Sequence, residues 1–459
     1  SRRQIDSIAV MPFVNESGNA DLEYLSDGMT ETLSDRLSKL PGLKVKATSS
    51  VSRYKGKDID APTVGKELNA STVLFGHVVL HGEDLNVRVE LVDTQTENIL
   101  WKQVYDRKMS NLIDLQRDVA QDLVRELRLK LSGADEQKLA KDYTKNVEAY
   151  QLFLRGRFHW RKLTKPEIEN GIKYMRQAID IDPSYALAYA GLAEAYRALV
   201  MANDVSPDDI WPEVKELAQK AIDIDDDLAE GHSVLGSALF NYDWNFAEAE
   251  NHFVRGLELD PNSSMAHFAY SDFLSKMGRR EEALAEITRA RDIEPFSAFL
   301  NAFSAPRLPD DAALERIRTA IDLQPDFYFA HMIAAGIYGR KKMYPEAIAE
   351  SELAKKLSPD QTWSDTYLAS LLMEAGKIDE ASAILEEMLR LSKSRYVPPL
   401  HIALVYNALG QTDEALDWLE KGCKQHDSRM TFLKDPRLIN LHGDPRFQEI
   451  SRCIGFPPD

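Results

Sequence analysis

Two histidines four residues apart, His77 and His81, form the first pair in this chain whose type and spacing suggest metal chemistry. They fall in STVLFGHVVL, which reads as a strand. Both imidazoles would leave one face about 13 Å apart at about 3.3 Å per residue, too far to share an ion. Neither an HExxH nor a CxxC spacing occurs, and His159, His232, His252, His267 and His331 are isolated. A phosphate cradle needs glycines whose amides converge on the anion. Only Gly18 follows the first strand, and RYKGKD at 53–58 lacks that spacing. Acidic runs such as IDIDDD at 222–227 recur where helices end, which suits turn formation and solvation better than proton transfer. No Ser, His and Asp share a strand–turn–helix nucleophile setting. The expectation is a non-enzymatic chain with no cofactor and no metal, whose chemistry is recognition.

The cysteines and the charge narrow the partner. Cys423 and Cys453, 30 residues apart, are too few for a disulfide framework. Two free, half-buried thiols are the simpler expectation, and one bridge in an oxidising compartment is the alternative. Of the formal net charge of -18, residues 1–132 hold 18 basic and 20 acidic side chains, and the remainder holds 38 and 54. Affinity for nucleic acid comes chiefly from Lys and Arg displacing counterions, so no nucleic-acid partner is expected for the second part.

The first part reads as a small mixed-sheet α/β domain over 1–132. Ile8 to Phe13 form a buried strand, Asn15 to Asn19 a polar turn, and Leu22, Leu25, Met29, Leu33, Leu37 and Leu40 recur at helical spacing until Pro41 and Gly42. LKVKA at 43–47 is a second strand, APTVGKELNA at 61–70 a helix, and STVLFGHVVL at 71–80 a third strand. Leu85, Val87, Val89 and Leu91 alternate with Asn86, Arg88 and Glu90 in an antiparallel meander that ends in ILWKQVYD. A helix with Leu112, Leu115, Val119, Leu123 and Leu127 on one side can cover it. Helices are therefore expected on one face of the sheet, with Gly28 as a close-packing position against it.

The second part repeats. AIDIDP from Ala178 returns from Ala221, Gly256, Ala290, Ala320 and Ala354, at spacings of 43, 35, 34, 30 and 34 residues. With the terminal Pro as position 32, small residues fall at 8, 20 and 27: Ser271, Ala283 and Ala290, then Ala335, Ala347 and Ala354, then Ala403 and Ala415. Small residues there let the two helices of a hairpin approach, and the Pro stops the second helix. The nine extra residues around MANDVSPDDIWP suggest a longer turn with Trp211. The unit around FSAFLNAFSAPRL is short by four and rich in Phe. Two DPR turns near the end suggest a cap of short helices.

These residues resemble the tetratricopeptide family, about eight units over 147–426, after a linker at 133–146 and before a cap at 427–459. The fold class is α+β, a small mixed-sheet domain followed by an all-α tetratricopeptide superhelix. IAVMPFVNESGNADLEYLSDGMTETL, VGKELNASTVLFGHV and LVDTQTENILWKQVYD are in turn similar to the domain that resembles the amino-terminal domain of the Tol-system periplasmic propeller protein. In bacterial signalling proteins that pair follows a transmembrane helix joined to a serine/threonine kinase, an adenylate cyclase or a winged-helix regulator. The resemblance implies a sensory or scaffolding module on the extracytoplasmic side of the inner membrane, with a membrane tether upstream of Ser1; the cytoplasmic side is the alternative. No kinase or cyclase chemistry carries over. No run of about 18 apolar residues occurs, and the start SRRQIDSIAV reads as the interior of a longer chain.

In such an array the first helices line the concave surface, and positions 2, 5, 9 and 12 point into it. They include Leu187, Glu194 and Arg197; Met265, Phe268 and Asp272; Phe329 and Met332; and Trp363 and Thr366. An apolar stripe with acids beside it suits a protein or peptide partner bearing hydrophobic and basic residues. The same side chains could instead pack against neighbouring repeats or the cap. Ala190, Phe268 and Met332 occupy position 5, where some tetratricopeptide families carry a Lys that clamps a terminal carboxylate. The alternative function is a small molecule held at the sheet edge or at the junction with the repeats.

Overall fold

The alternating and apolar runs of the first part form one sheet. The computed structural model describes residues 5–40, 42–129 and 131–456, so Pro41 lies outside the described residues. The first elements are β1 (Ser7–Val10), β2 (Val14–Asn15), α1 (Glu23–Ser38), β3 (Lys44–Val45), α2 (Thr48–Ser52) and α3 (Ala61–Leu68). Then follow β4 (Thr72–His81), β5 (Asp84–Asp93), β6 (Ile99–Lys108), α4 (Leu112–Glu126) and α5 (Gly133–Ala140). The strand order is β3-β1-β4-β5-β6, with β2 also on β4; the pairs of β1 and β2 are parallel and β4-β5-β6 are antiparallel. Leu85, Val87, Val89 and Leu91 turn inward as the alternation requires, each at most 1% exposed.

Helices cover both faces where one was expected. α1 and α4 pack Leu25, Met29, Leu33, Leu115, Val119 and Leu123 with Ile8, Val10 and the inward row of β5. On the other face α2 and α3 set Val51, Val64 and Leu68 against Ala9, Met11 and Val73. The reason is that β1 lies in parallel pairs on both sides, and such strands are buried on both faces. The polar turn after β2 is tied to the sheet: Leu80 donates its amide to Ser17 Oγ, and Glu16 pairs with His77 and Arg88.

The stretch 133–146 is more than a tether. Ser132 and Asp135 form a reciprocal cap on α5, and Asp142 then pairs with Arg36 of α1 and Arg117 of α4. Eight antiparallel helix pairs follow. They are α6 (Val147–Trp160) with α7 (Lys165–Ile181), α8 (Ala186–Ala202) with α9 (Pro207–Ile224), α10 (Ala229–Ala238) with α11 (Phe246–Leu259), and α12 (Ser264–Lys276) with α13 (Arg280–Ile293). The remaining pairs are α14 (Ala298–Ser304) with α15 (Asp310–Leu323), α16 (Tyr328–Arg340) with α17 (Tyr344–Leu357), α18 (Trp363–Glu374) with α19 (Ile378–Leu391), and α20 (Pro399–Ala408) with α21 (Thr412–Lys424). Ser271, Ala283, Ala290, Ala335, Ala347, Ala354, Ala403 and Ala415 are each at most 1% exposed, as the close approach of paired helices demands. Asp182 accepts from the Ser184 amide and Asp260 from that of Asn262, so carboxylates at the helix ends do form turns.

The nine-residue insertion does not make a long turn. It lengthens α8 to 17 residues and α9 to 18, with Pro207 starting α9 and Trp211 buried inside it. The short Phe-rich unit has a first helix, α14, of only seven residues. Beyond α21, Asp435 caps a 3₁₀ helix at Pro436–Leu441 and Asp444 caps α22 (Pro445–Ile454). Cys423 and Cys453 are bridged, with Cα atoms 6.5 Å apart, which corrects the expectation of free thiols; the bridge holds α22 on α21. No helix among the described residues is long and apolar enough to cross a membrane.

Candidate functional site

The first domain lies against the opening repeats. Gly28 is a close-packing residue, but its neighbour is α6 and not the sheet: a Cβ there would stand 2.7 Å from Leu154. Around that contact Thr32 Oγ1 meets Tyr150 Oη at 2.8 Å, and Glu31 pairs with Arg157 at 2.7 Å and Arg161 at 2.8 Å. Burial would push the Glu31 carboxyl up, and the two guanidiniums outweigh it and hold it below the ordinary carboxylate range. Further along the rim, Lys141 pairs with Asp225 at 2.6 Å, Asn262 Nδ2 donates to Ser38 O at 3.3 Å, and the Arg53 guanidinium sits 4.0 Å from the Phe296 ring.

Between these contacts the two parts enclose space. A cavity of about 810 Å³ lies between β3 with the last turn of α1 and the inward faces of α8 and α12. A second of about 920 Å³ adjoins it on the α5 side, and both touch Asp35, Lys39, Phe153, Leu187, Glu230 and Asn262. Four of the residues expected on the concave face line the first cavity: Leu187, Glu194, Arg197 and Met265. Met265 is 43% exposed, and Arg197 Nε donates to Glu194 Oε2 at 2.8 Å. Lys44 and Lys46 of the first domain stand in the opposite wall, so the cavity is not the acidic one the sequence suggested.

Of the other expected residues Phe268, Phe329, Met332 and Thr366 are buried, which corrects their placement on an open surface, and Trp363 and Asp272 are half-buried. Phe268 packs on Phe299 at 4.7 Å and Phe303 at 5.4 Å, rings supplied by the short Phe-rich unit. Phe329 and Met332 belong to the next core cluster. Trp363 packs on His401 at 4.5 Å and Phe432 at 5.2 Å, and wholly buried Thr366 accepts from Arg437 Nη1 at 2.9 Å. Asp272 holds Lys276 at 2.7 Å, and that ammonium lies 3.9 Å from the Phe432 ring. The C-terminal cap folds inward against Trp363, Thr366 and Lys276, while the short Phe-rich unit covers Phe268.

The same inward fold closes the superhelix on itself. Arg429 Nη2 donates to Val200 O at 2.6 Å, Tyr328 Oη to Met201 O at 3.4 Å, and the His426 ring stacks on Trp244 at 4.4 Å. At the end of the lengthened α8, Asp204 Oδ2 accepts from Thr362 N and Oγ1, both at 2.8 Å, while Thr362 Oγ1 also meets His401 Nδ1 at 2.8 Å. Burial pushes the Asp204 carboxyl up to about 6 and drives the His401 imidazole well below its usual value. These groups bind helix to helix and are sealed from solvent.

Two isolated histidines are explained in the same terms. His267 bonds Glu286 and Pro261 O, and His331 bonds Glu350 at 2.6 Å and Pro325 O at 2.9 Å, so each imidazole ties a helix pair to the turn before it. Among the described residues no group of three His, Cys, Asp or Glu side chains is placed to hold a metal ion. The arrangement can grip a polypeptide or another ligand between two walls. The walls contributed by α1 and β3 left no local signal, because they arise from docking across more than a hundred residues.

Residues 3–122 match the family described as HilA/YgeH-like transcriptional regulator, second domain. The chain is similar to the Rhizobium meliloti (strain 1021) protein named "Putative adenylate cyclase 3", 33% identical over 235 residues, which make up 51% of this chain and 40% of that protein. It is also similar to Transcriptional regulator HilA of Salmonella typhimurium, 22% identical over 301 residues, 64% of this chain and 51% of that one. The chain thus spans about half, or less, of the length of these relatives. Among solved structures, Pseudomonas aeruginosa PilF aligns with a TM-score of 0.35 at 18% identity, covering 46% of this chain and 92% of that one. YrrB, described as a TPR protein with an unusual peptide-binding site, aligns with a TM-score of 0.28 at 17% identity, covering 41% and 95%. The repeat register and the eight helix pairs give the second part the architecture of a tetratricopeptide-type superhelix.

Proposed function

We propose that the chain is the docking part of a bacterial signalling or regulatory protein, and that a segment of a partner protein seats in the cavity between β3, α8 and α12. The observation that carries this reading is the survival of an open stretch of groove: Leu187 and Met265 offer apolar wall, with Glu194 and Arg197 beside them, in about 810 Å³. A signalling role is supported by the regulator-type family over residues 3–122 and by a relative named as an adenylate cyclase. Cyclase chemistry itself is not proposed, since the chain covers 40% of that relative. The Tol-type likeness of the first domain and the Cys423–Cys453 bridge support the extracytoplasmic side, where a disulfide persists.

The test is site-specific photocrosslinking in cells. A photoreactive residue at Met265 should trap a protein partner, while one at Ile378, 56% exposed and away from the cavity, should not. Met265→Glu should abolish capture by a photoreactive residue placed at Leu187 in the same cavity. Equal yields from Met265 and Ile378 would overturn the reading. A small molecule at the junction, the second reading, rests on the 920 Å³ cavity, and it predicts a bound compound in the mass spectrum of native protein.

A further inference from the structure

The sheet has one long free edge. β3, two residues long, ends the sheet inside the groove, whereas β6 ends it over ten residues. Of the exposed large hydrophobics among the described residues, three sit on this strand: Ile99 at 54%, Leu100 at 38% and Val104 at 44%. The others are scattered singly over separate elements.

The hydrogen-bond register shows which groups the edge offers. Met109 donates its amide to Glu83 O at 2.8 Å, and β5 pairs with β6 so that Asp84 faces Lys108. Antiparallel alternation then directs the odd-numbered residues of β6 toward β5 and leaves the amides and carbonyls of Lys102, Val104 and Asp106 on the outer side. Two of those carbonyls meet side chains of their own strand: Val104 O accepts from Gln103 Nε2 at 3.3 Å and Asp106 O from Arg107 Nη1 at 3.1 Å.

The side chains on that outer register are self-complementary. Val104 is flanked two residues away by Lys102 on one side and Asp106 on the other. Edge strands are commonly blunted by charged side chains, Lys above all, that a neighbouring strand would leave unpaired. Opposite charges placed symmetrically about an apolar centre do the reverse for an antiparallel copy of the same strand. With Val104 facing Val104 of the second copy, Lys102 falls opposite Asp106 twice, and Trp101 falls opposite Arg107 on the face that carries α4. Every outward amide and carbonyl of the three residues is then paired, and the interface is isologous.

We propose that β6 is a homodimerisation edge, two copies of this chain joining into one continuous antiparallel sheet about a two-fold axis through Val104. The array, its cavity and the β3 edge stay free in that dimer.

Light scattering after size exclusion should give twice the chain mass for the full chain, and Val104→Arg, which sets two cations face to face, should return it to monomer with its circular dichroism spectrum unchanged. Cysteine pairing fixes the register. Val104→Cys should crosslink with itself under mild oxidation. Lys102→Cys should not, yet should crosslink when mixed with Asp106→Cys. A monomeric mass at all concentrations, as a strand from another protein on this edge would leave, overturns the proposal. So does a Lys102→Cys variant that crosslinks with itself as readily as Val104→Cys.

Discussion

Leu187 and Arg197 of α8 and Met265 at the start of α12 border open space, whereas the inward positions of α18 are packed against the chain's own C-terminal segment. Met265 is 43% exposed and Thr366 is wholly buried, although both occupy inward positions of the repeat. The repeat register therefore sets the direction of a side chain. It does not set what that side chain meets, which depends on elements far away in sequence: α1 and β3 border the first half without filling it, and Phe432, Arg437 and their neighbours fill the second.

The comparison can be broken most directly by truncating one side chain in each half. Trp363→Ala removes the surface on which His401 and Phe432 pack, and should cost about 3 kcal/mol. Met265→Ala should stay within about 0.5 kcal/mol, as exposed substitutions do. Urea unfolding midpoints measure both, and similar losses would remove the distinction between the halves. An effect of similar size is expected from reducing the Cys423–Cys453 bridge, which spans 30 residues and is worth roughly 2–4 kcal/mol. Hydrogen exchange should then rise in α22 and around Phe432 while β4 and β5 keep their protection.

The smallest effect sharpens the comparison through pH. His331 lies in the filled half, and its bond to Glu350, against an opposing contribution from burial, raises the imidazole above its ordinary value of about 6.5. A raised folded value favours the protonated form in the native state. The stabilisation is thus complete below about pH 6.5 and is lost as pH climbs through the raised folded value. His331→Gln should flatten the thermal-melt profile over that window, whereas Met265→Ala, which keeps His331 and Glu350, should retain it.

Much of this architecture is written locally. The alternation from Leu85 to Leu91 and the recurrence of Ala at positions 20 and 27 are constraints each segment must satisfy against its nearest neighbours, so they leave a period in the sequence. The DPR turns were legible for the same reason, since Asp435 and Asp444 cap helices that start beside them. The closure of the superhelix was not. Asp204 meets Thr362, and Arg429 meets Val200, across 158 and 229 residues, and a single pair at that distance has no repeat to betray it. Gly28 shows the intermediate case: its small size announced a close approach, and nothing in the sequence said that α6 would be the element approaching. The candidate site was half legible for this reason, with the array wall predicted and the wall from the first domain missed.

The contacts of Asp204 with Thr362 and of Arg429 with Val200 have a mechanical consequence. An open superhelix behaves as a spring whose pitch can stretch or tighten around whatever enters it. Here the coil is tied near both ends, so its pitch is fixed before any partner arrives. A segment entering beside Met265 must therefore match a gap of set width, and force applied to one end of the array is carried to the other without passing through the groove.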